Sequence, residues 1–499
     1  MANYNSFGAY TATSVIPGFK GLMQYGDGID VDPRYAVQAY NMETPGGVLQ
    51  PSAACVKLDP SLSGPIETLA CLHRRWYTGD SDPDVFIAAC AGKLYYMLTD
   101  GVQWTELAFP DGVTAYQSSV WSWVAYEINP EGSTAPVDVM LLSNAKDGMV
   151  MVRGDNFAVS TVNAPKKFGV ISRYAERIWG GAIEEDPDML VYSAPYDPTD
   201  WAANTEIPED GAGDIQQPSW DGDSFTALCP FGSQLIAMKR TRVWRIIGTD
   251  PGEYVFKEQY GGGTPYANTV GVQGEQIFML TPQGVALYDG LNVSPFQQES
   301  CKALFARINA SALGQASGCV WRQRYYVALP IDSSPVNNAV LIYSMRDGTW
   351  LLRTDVTVEA FLPTENALYF TSSTTPGYVW RWEEDSWETG GSTEAACLWE
   401  TPWNDLGAKH IQKGGFDVYL LGEVKTRPVT LTLTLQTEKK SKTKQYTIMP
   451  SAGTKSAKQK RLHFGGAGRR FKLRISAPVN SAPWRLVSGL QIISETDPD

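Results

Sequence analysis

Charged side chains are scarce in this 499-residue sequence. Asp, Glu, Lys and Arg make up 19% of it, below the roughly 25% that is usual for a soluble domain. Aromatic residues reach 11%, which excludes an intrinsically disordered chain because such chains are poor in aromatic side chains. Glycine is frequent but follows no three-residue period, so a collagen-like fibre is also excluded. The composition indicates a large globular protein that is rich in loops.

Residues that form disulfides or hold metals are few as well. The seven cysteines include no CxxC pair, and their neighbours are apolar, so we expect buried thiols in a reducing compartment. The three histidines have no metal-ligand spacing. Carboxylates cluster at 184–188 and 221–223, where solvated turns and a calcium loop are the two interpretations. We expect no catalytic residues, no metal ligands and no cofactor, and therefore a protein that is not an enzyme.

Long apolar runs are missing too. The longest, such as residues 85–91, are far shorter than the roughly 20 residues that a membrane-spanning helix needs. The first residues also lack a basic region followed by an apolar one, which is the pattern of an export signal. We therefore expect no membrane span.

What the sequence has instead, between about residues 60 and 395, is a series of short apolar runs. They contain four to eight residues rich in Val, Ile, Tyr and Trp, as in DVFIAAC at 84–90, and they end at Gly, Pro, Asp or Asn. Such runs are typical of strands and hairpins. The region is predicted to be almost entirely β. The one predicted helix covers residues 300–311, whose apolar side chains share one face.

The predicted hairpins share a repeated pattern. An apolar run that ends in Tyr or Trp meets an Asp turn and then another apolar run, at 96–104, 288–290, 343–350 and 382–387. A degenerate repeat over a stretch this long favours a β-propeller of about six or seven four-stranded blades. Packed β-sandwiches are the alternative interpretation.

The C-terminal part differs in charge. Residues 405–475 hold 16 Lys and Arg against four Asp and Glu, a net +12, which leaves −25 for the rest of the chain. Residues 427–438 alternate Val and Leu with Thr, the pattern of a strand with one buried face. We predict an all-β chain with three parts: an N-terminal arm at 1–60 that closes onto the propeller, the β-propeller at 61–395, and a C-terminal β-sandwich at 396–499.

Two lysine-rich segments are the strongest chemical feature. KKSKTK at 439–444 and KSAKQKR at 455–461 flank one short strand, so two cationic loops are predicted at one end of the sandwich. Such loops can neutralise nucleic-acid phosphates, contact an acidic partner such as a neighbouring copy, or remain solvated. The candidate DNA or partner contacts are Lys439, Lys440, Lys442, Lys444, Lys455, Lys458, Lys460 and Arg461.

Three further stretches carry a family resemblance. In residues 18–55, Asn41 leads into Gly46 and Gly47. The other matching positions lie in 176–203, in 399–422 and in the ending GLQIISE at 489–495, and they are Arg177, Ser193, Asp197, Pro198, Trp201, Glu400, Thr401, Asp405 and Lys413. In these positions the chain resembles the tail nozzle or tail-hub proteins of short-tailed bacteriophages.

The resemblance implies a virion structural protein, a β-propeller with an added terminal domain. Family members assemble as a ring, here expected to be a homohexamer, around the channel by which double-stranded DNA leaves the capsid. They dock on the portal or adaptor ring, can carry tail fibres or spikes, and help to retain and then deliver the genome. The implied location is the virion tail, after synthesis in the cytoplasm of the bacterial host.

Two other functions are compatible with the same features. A receptor-binding or fibre-adaptor tail protein would also combine a propeller with a terminal β domain. A propeller glycosidase acting on host surface polysaccharide would need two placed carboxylates. The segment 344–350 approaches a sialidase-like turn, but no such carboxylate pair can be identified from the sequence.

Overall fold

A computed structural model describes residues 10–25, 31–79, 83–130, 135–217, 222–259, 261–392, 395–407, 409–450, 459–479 and 482–497. The chain is all-β, as predicted. The described strands form seven four-stranded antiparallel sheets that are blades, a four-stranded and a five-stranded sheet that make a sandwich, and one short hairpin, Met42–Glu43 with Gln50–Pro51.

The seven blades follow one another along the chain, and we number them in that order. Blades 1 to 4 consist of Thr68–His73, Asp84–Cys90, Lys93–Leu98 and Thr105–Glu106; Ser122–Ile128, Val137–Asn144, Gly148–Arg153 and Val159–Val162; Val170–Tyr174, Arg177–Gly181, Met189–Tyr192 and Gly213–Gln216; and Phe225–Phe231, Gln234–Lys239, Val243–Ile247 and Val255–Gln259. Blades 5 to 7 consist of Gly271–Gln273, Gln276–Thr281, Gly284–Tyr288 and Val293–Pro295; Ser317–Trp321, Arg324–Leu329, Ala339–Ser344 and Thr349–Arg353; and Phe361–Pro363, Leu368–Thr371, Val379–Arg381 and Val56–Leu58.

The blades close into a ring. The first strand of blade 3 contacts the first strands of blades 2 and 4, and the first strand of blade 7 contacts those of blades 6 and 1. Hydroxyl groups bond neighbouring blades: the Thr68 hydroxyl of blade 1 accepts from the Trp121 N–H beside blade 2, and the Ser317 hydroxyl of blade 6 accepts from the Phe361 N–H of blade 7. The predicted β-propeller is confirmed, with seven blades.

The outermost strand of blade 7 comes from the other end of the chain. Val56–Leu58 pairs antiparallel with Val379–Arg381, so the start and the end of the propeller segment share one sheet. The two paired segments are more than 300 residues apart in the sequence. Their pairing holds the ring closed because it attaches the segment before blade 1 to the last blade.

The repeated Asp turn occupies one position in three blades. At 96–104, 288–290 and 343–350 it joins the third strand to the fourth, in blades 1, 5 and 6. The fourth predicted instance, 382–387, is different. There the Asp385 carboxylate accepts from the Trp387 N–H and caps a helical turn, Ser386–Thr389. An Asp before a tight turn serves a hairpin and a helix N-cap equally well.

The terminal sandwich consists of two sheets. In spatial order, their strands are Tyr10–Ile16, Trp484–Asp497, Gln412–Val424 and Lys460–Gly468 in the first sheet, and Gln38–Tyr40, Cys397–Glu400, Phe471–Ala477, Val429–Thr437 and Ser441–Ile448 in the second. Val429, Leu431, Leu433 and Leu435 are all buried, as their alternation with threonine predicts.

The N-terminal segment is divided between both parts. Tyr10–Ile16 and Gln38–Tyr40 add strands to the two sandwich sheets, whereas Val56–Leu58 belongs to the propeller. One continuous core joins the parts: it includes Phe19 of this segment, Leu341 and Trp350 of blade 6, and Trp399 and Trp484 of the sandwich. The Phe19 ring packs edge-on against the Trp399 ring, with 4.9 Å between the centroids.

Helices are short. The 3-10 turns are Pro45–Gly47, Pro208–Asp210, Pro251–Glu253, Ala267–Thr269, Gln298–Cys301 and Ala310–Gln315, and the α turns are Lys302–Phe305 and Ser386–Thr389. The helix predicted over 300–311 is therefore wrong beyond its first turn. Asn309 is extended and caps the next turn, and Ile308 forms a bridge with Ile331, so strand-like pairing replaces the continued helix. No helix in the described ranges is long and apolar enough to cross a membrane.

Candidate basic interface

Six of the eight predicted contact residues lie among the described residues, on or beside the edge strands of the two sandwich sheets. The prediction that they share one end is wrong, because the turn at Lys439 and Lys440 meets Arg469 at the far end of the strand that Lys460 begins. Lys439 and Lys440 occupy the turn after Val429–Thr437, and Lys442 and Lys444 lie on the edge strand Ser441–Ile448. Lys460 and Arg461 begin Lys460–Gly468, the edge strand of the other sheet. Lys455 and Lys458 lie outside the described residues. The first predicted cationic loop is therefore wrong in form: it is a tight turn that continues as a strand.

The turn is tight because Thr437 bonds across it. Its backbone N–H donates to the Lys440 carbonyl at 2.8 Å, and its hydroxyl accepts from the Lys440 N–H at 3.1 Å. Both lysine side chains are exposed. The Glu438 carboxylate does not neutralise them, because it accepts from the backbone N–H groups of Arg469 and Arg470.

The edge strand changes character along its length. Lys442 and Lys444 pair with Leu435 and Leu433, so these lysines share the sheet face of the buried leucines. Further along the same face, Tyr446 is buried. One end of the strand therefore contributes Tyr446 to the core, and the other end presents exposed lysine side chains. Inward-facing lysines on an edge strand also oppose pairing with a foreign strand.

On the other edge strand the charges are paired. The Arg461 guanidinium donates to the Asp417 carboxylate at 2.6 Å, and the His463 ring lies 2.9 Å from the same group. The hydrogen bond from Arg461 holds the pKa of Asp417 below its usual range. Arg461 is therefore less available to a partner than the exposed lysines of the turn.

The fold places the side chain of Trp403 beside basic residues of the sandwich. The Trp403 ring has the Arg470 guanidinium 5.1 Å and the Lys472 ammonium 5.3 Å from its centroid, within the range of cation–π attraction. Trp403, Lys409 and Arg469 are among the residues that line a cavity of about 280 Å³ there. Sequence reasoning missed this site because Trp403 stands far before the lysine runs and no local pattern connects them.

Backbone pairing brings these residues together. Asn404 and Phe471 exchange both backbone hydrogen bonds, at 2.8 and 2.9 Å, which places Trp403 beside the turn at Arg469 and Arg470. The buried Lys413 ammonium donates to the Arg469 carbonyl at 2.7 Å, and burial lowers its pKa. We call this surface the basic end: Trp403, Lys409, Lys439, Lys440, Arg469 and Arg470.

Arg177 and Ser193, two of the residues that carry the family resemblance, stabilise the backbone of blade 3. The buried Arg177 guanidinium donates to the carbonyls of Ser193, Glu209 and Gly211, so it holds the long excursion after the third strand of blade 3. The Ser193 hydroxyl accepts from the Ile178 N–H at 3.0 Å. Removing this charged donor would take a hydrogen bond from each of the three carbonyls.

Three other positions of the family resemblance, Asn41, Glu400 and Gly489, also have structural roles. Asn41 has a φ of 56°, and its amide bonds the Thr354 N–H and the Ala396 carbonyl. The buried Glu400 carboxylate accepts from Lys472 and Arg474, at 2.7 and 2.6 Å. Gly489 has a φ of 68°, and a Cβ there would collide with the carbonyl oxygen of Ile16.

The carboxylates at 184–188 are paired with lysines. Lys146 contacts Glu184, Lys166 contacts Asp186, and Lys239 contacts Asp188. Residue 221 of the second predicted cluster lies outside the described residues. Within the part of the chain that the structure describes, no group of three or more His, Cys, Asp or Glu side chains could hold a metal ion.

No family model matches this chain, and no curated protein matches it. Among solved structures, a chain of the mitotic checkpoint complex is 13% identical with a TM-score of 0.37, covering 66% of this chain and 98% of that one. PorZ, a type-IX secretion component of Porphyromonas gingivalis, is 10% identical with a TM-score of 0.37, covering 69% and 42%. The Pan2 WD40 domain of Neurospora crassa is 9% identical with a TM-score of 0.27, covering 70% and 90%.

Proposed function

We propose that this chain is a structural protein of a short-tailed phage virion, which assembles as a homohexameric ring and extends the DNA exit channel below the portal or adaptor. The observation that carries the proposal is the position of the resembling residues. Asn41 and Glu400 have buried polar contacts in and beside the sandwich, and Arg177 has them within blade 3. Residues that make such buried contacts keep the fold rigid, and a ring component needs a rigid fold to contact its neighbours.

The charge distribution supports the same role. The basic end belongs to a segment of +12 and the rest of the chain carries −25. In a closed ring the contacting surfaces of neighbouring copies differ, so the basic end of one copy can face the acidic body of the next. Where the basic end faces the channel, its lysines contact DNA phosphates without reading sequence.

The proposal is tested first with the full chain. Electron microscopy of the purified protein and of virions is expected to show a ring at the tail below the portal. A protein that stays monomeric and is absent from the tail would exclude the proposal. A ring at the tail that coats receptor-bearing cells would instead favour a receptor-binding or fibre-adaptor protein.

The contribution of the lysines needs a matched pair of variants. In one, Ser replaces Lys439, Lys440, Lys442 and Lys444. In the control, Ser replaces four exposed propeller lysines, which are Lys146, Lys167, Lys257 and Lys302. Both are expected to fold with unchanged circular dichroism.

Only the first variant is expected to assemble more weakly or to lose DNA. If the lysines contact phosphates, the slope of log K against log salt for double-stranded DNA falls by about 0.9 for each lost contact. Equal assembly and equal DNA binding in both variants would show that the lysines of the turn and edge strand are merely solvated.

A further inference from the structure

A second site lies away from the basic end, on the outer side of blade 7. A cavity of about 1060 Å³ opens beside the closing strand Val56–Leu58. Its walls come from that strand, from the connection between blades 6 and 7 at 355–357, and from residues 372–378. The volume is slightly above the usual range for ligand-binding pockets, roughly 300 to 1,000 Å³.

One wall carries three hydroxyl groups in mutual contact. The Thr357 oxygen lies 2.7 Å from that of Ser372 and 2.6 Å from that of Thr374, and the last two are 3.3 Å apart. Three hydroxyls have three hydrogens and six lone pairs. Their mutual bonds can use three of each, which leaves three lone pairs that can accept hydrogen bonds from a ligand with donor groups.

Aromatic rings lie beside these hydroxyls, because Ser372 is two residues after Phe370 and Phe370 pairs with Trp380 on the same face of the blade. The Trp380 ring is stacked on Phe370, with 17° between the planes, and its indole N–H is a buried donor that bonds no acceptor in the described chain. The Tyr378 ring has the Lys57 ammonium 4.3 Å from its centroid. A ligand here meets a flat apolar surface with hydrogen-bond acceptors next to it.

The charges narrow the class of ligand. The Asp355 carboxylate in the lining is held by the Arg353 guanidinium at 2.5 Å, whereas the Lys57 ammonium is exposed. A cationic ligand is therefore disfavoured, and a neutral or acidic one is accepted. Burial raises the pKa of the Cys55 thiol to about 11, so the site binds its ligand without a thiolate nucleophile.

We propose that this cavity binds a saccharide. Neighbouring hydroxyls of a sugar ring are spaced about one hydrogen-bond length apart, which matches the hydroxyl trio, and the ring's C–H face matches the flat apolar surface. A peptide would instead pair its backbone with the free edge of the closing strand. The inference is independent of the ring assembly proposed above.

The test uses the full chain and a panel of neutral and uronic-acid oligosaccharides, with binding measured by calorimetry. Thr357→Val and Ser372→Ala each remove an acceptor, and Trp380→Phe removes the indole donor but keeps the stacked ring. Each is expected to weaken binding of the best saccharide at least about tenfold, the effect of one lost hydrogen bond to a buried group. Lys57→Met is expected to weaken the uronic-acid ligands alone.

The matched control is Thr430→Val, because Thr430 and Thr447 form an exposed hydroxyl pair at 2.9 Å on the sandwich. It is expected to leave binding unchanged. Absence of saturable binding to every saccharide would overturn the proposal, as would equal affinity in Thr357→Val, Trp380→Phe and Thr430→Val. Binding of tripeptides that is insensitive to Thr357→Val would assign the edge strand to a peptide instead.

Discussion

At the scale of single residues, the least expected group is the Glu43 carboxylate. It is buried between the N-terminal hairpin and blade 6, and Arg324 is its ion-pair partner at 3.5 Å. Glu384 shares that guanidinium at 3.6 Å. Burial raises the pKa of Glu43 to about 7. Arg324 and Arg353 partly offset this rise, and the negative charges of Glu384 and Asp385 add to it. The carboxyl group between the N-terminal hairpin and blade 6 therefore titrates near pH 7.

This titration makes stability depend on pH. Between pH 4.5, the ordinary pKa, and about pH 7, the folded protein binds one proton that the unfolded chain has lost. The free energy of unfolding is therefore expected to fall as pH rises through this window and to level off above it. Glu43→Gln is expected to remove this dependence, and to stabilise the protein at pH 8 by up to about 3 kcal/mol at roughly 1.4 kcal/mol per pKa unit.

Urea unfolding at pH 5, 6, 7 and 8 measures the effect. The exposed Glu106, paired with Lys93 at 2.9 Å, supplies the control Glu106→Gln, which is expected to keep the wild-type pH dependence. If Glu43→Gln shows the same slope as the wild type, Glu43 is not the group that titrates.

At the scale of elements, the propeller depends on the short strand Val56–Leu58. Only three residues of this strand pair with blade 7, and their pairing closes the ring. The strand also forms one wall of the proposed saccharide cavity. Closure and ligand binding therefore depend on the same contact.

A double substitution to proline tests the closure. Val56→Pro with Lys57→Pro must remove one ladder hydrogen bond, because adjacent residues of a strand direct their N–H groups to opposite sides. We expect a loss of at least about 1 kcal/mol and faster hydrogen exchange in Val379–Arg381. The control Ser63→Pro lies in the exposed connection to blade 1. Equal exchange in the two variants would show that the strand does not hold the ring closed.

At the scale of the whole molecule, the propeller and the sandwich share one core. Phe19 and Leu22 pack with residues of blade 6 and of the sandwich, and the Leu22 N–H donates to the Trp350 carbonyl of blade 6 at 2.7 Å. Blades 2 and 3 have a separate core that includes Phe168. The shared core predicts that blade 6 and the sandwich unfold as one cooperative unit.

Phe19→Ala tests this cooperativity. The substitution is expected to cost about 3 to 5 kcal/mol and to reduce hydrogen-exchange protection together in Cys397–Glu400 of the sandwich and Thr349–Arg353 of blade 6. Phe168→Ala is the matched control, also a fully buried Phe, and is expected to expose blades 2 and 3 alone. Loss of protection confined to the sandwich in Phe19→Ala would contradict a shared core.

Different parts of this architecture were predictable to different degrees. Blades 1, 5 and 6 could be inferred because their third hairpins repeat an Asp turn, and the sandwich strand Val429–Thr437 because Leu and Thr alternate. The fourth apparent repeat failed at Asp385, where a local signal serves two structures equally. For the basic end, the lysine runs were visible in the sequence, whereas Trp403 and Arg470 meet only through the pairing of Asn404 with Phe471.

The sequence by itself determined the all-β class, the repeated blades and the separation of charge, because these depend on local alternation, turn residues and composition. The tertiary structure alone decided that Val56–Leu58 completes blade 7, that Tyr10–Ile16 joins the sandwich, and that the predicted cationic loop is an edge strand. Those outcomes depend on contacts between distant segments, and their energies come from packing and hydrogen bonds that no local pattern encodes.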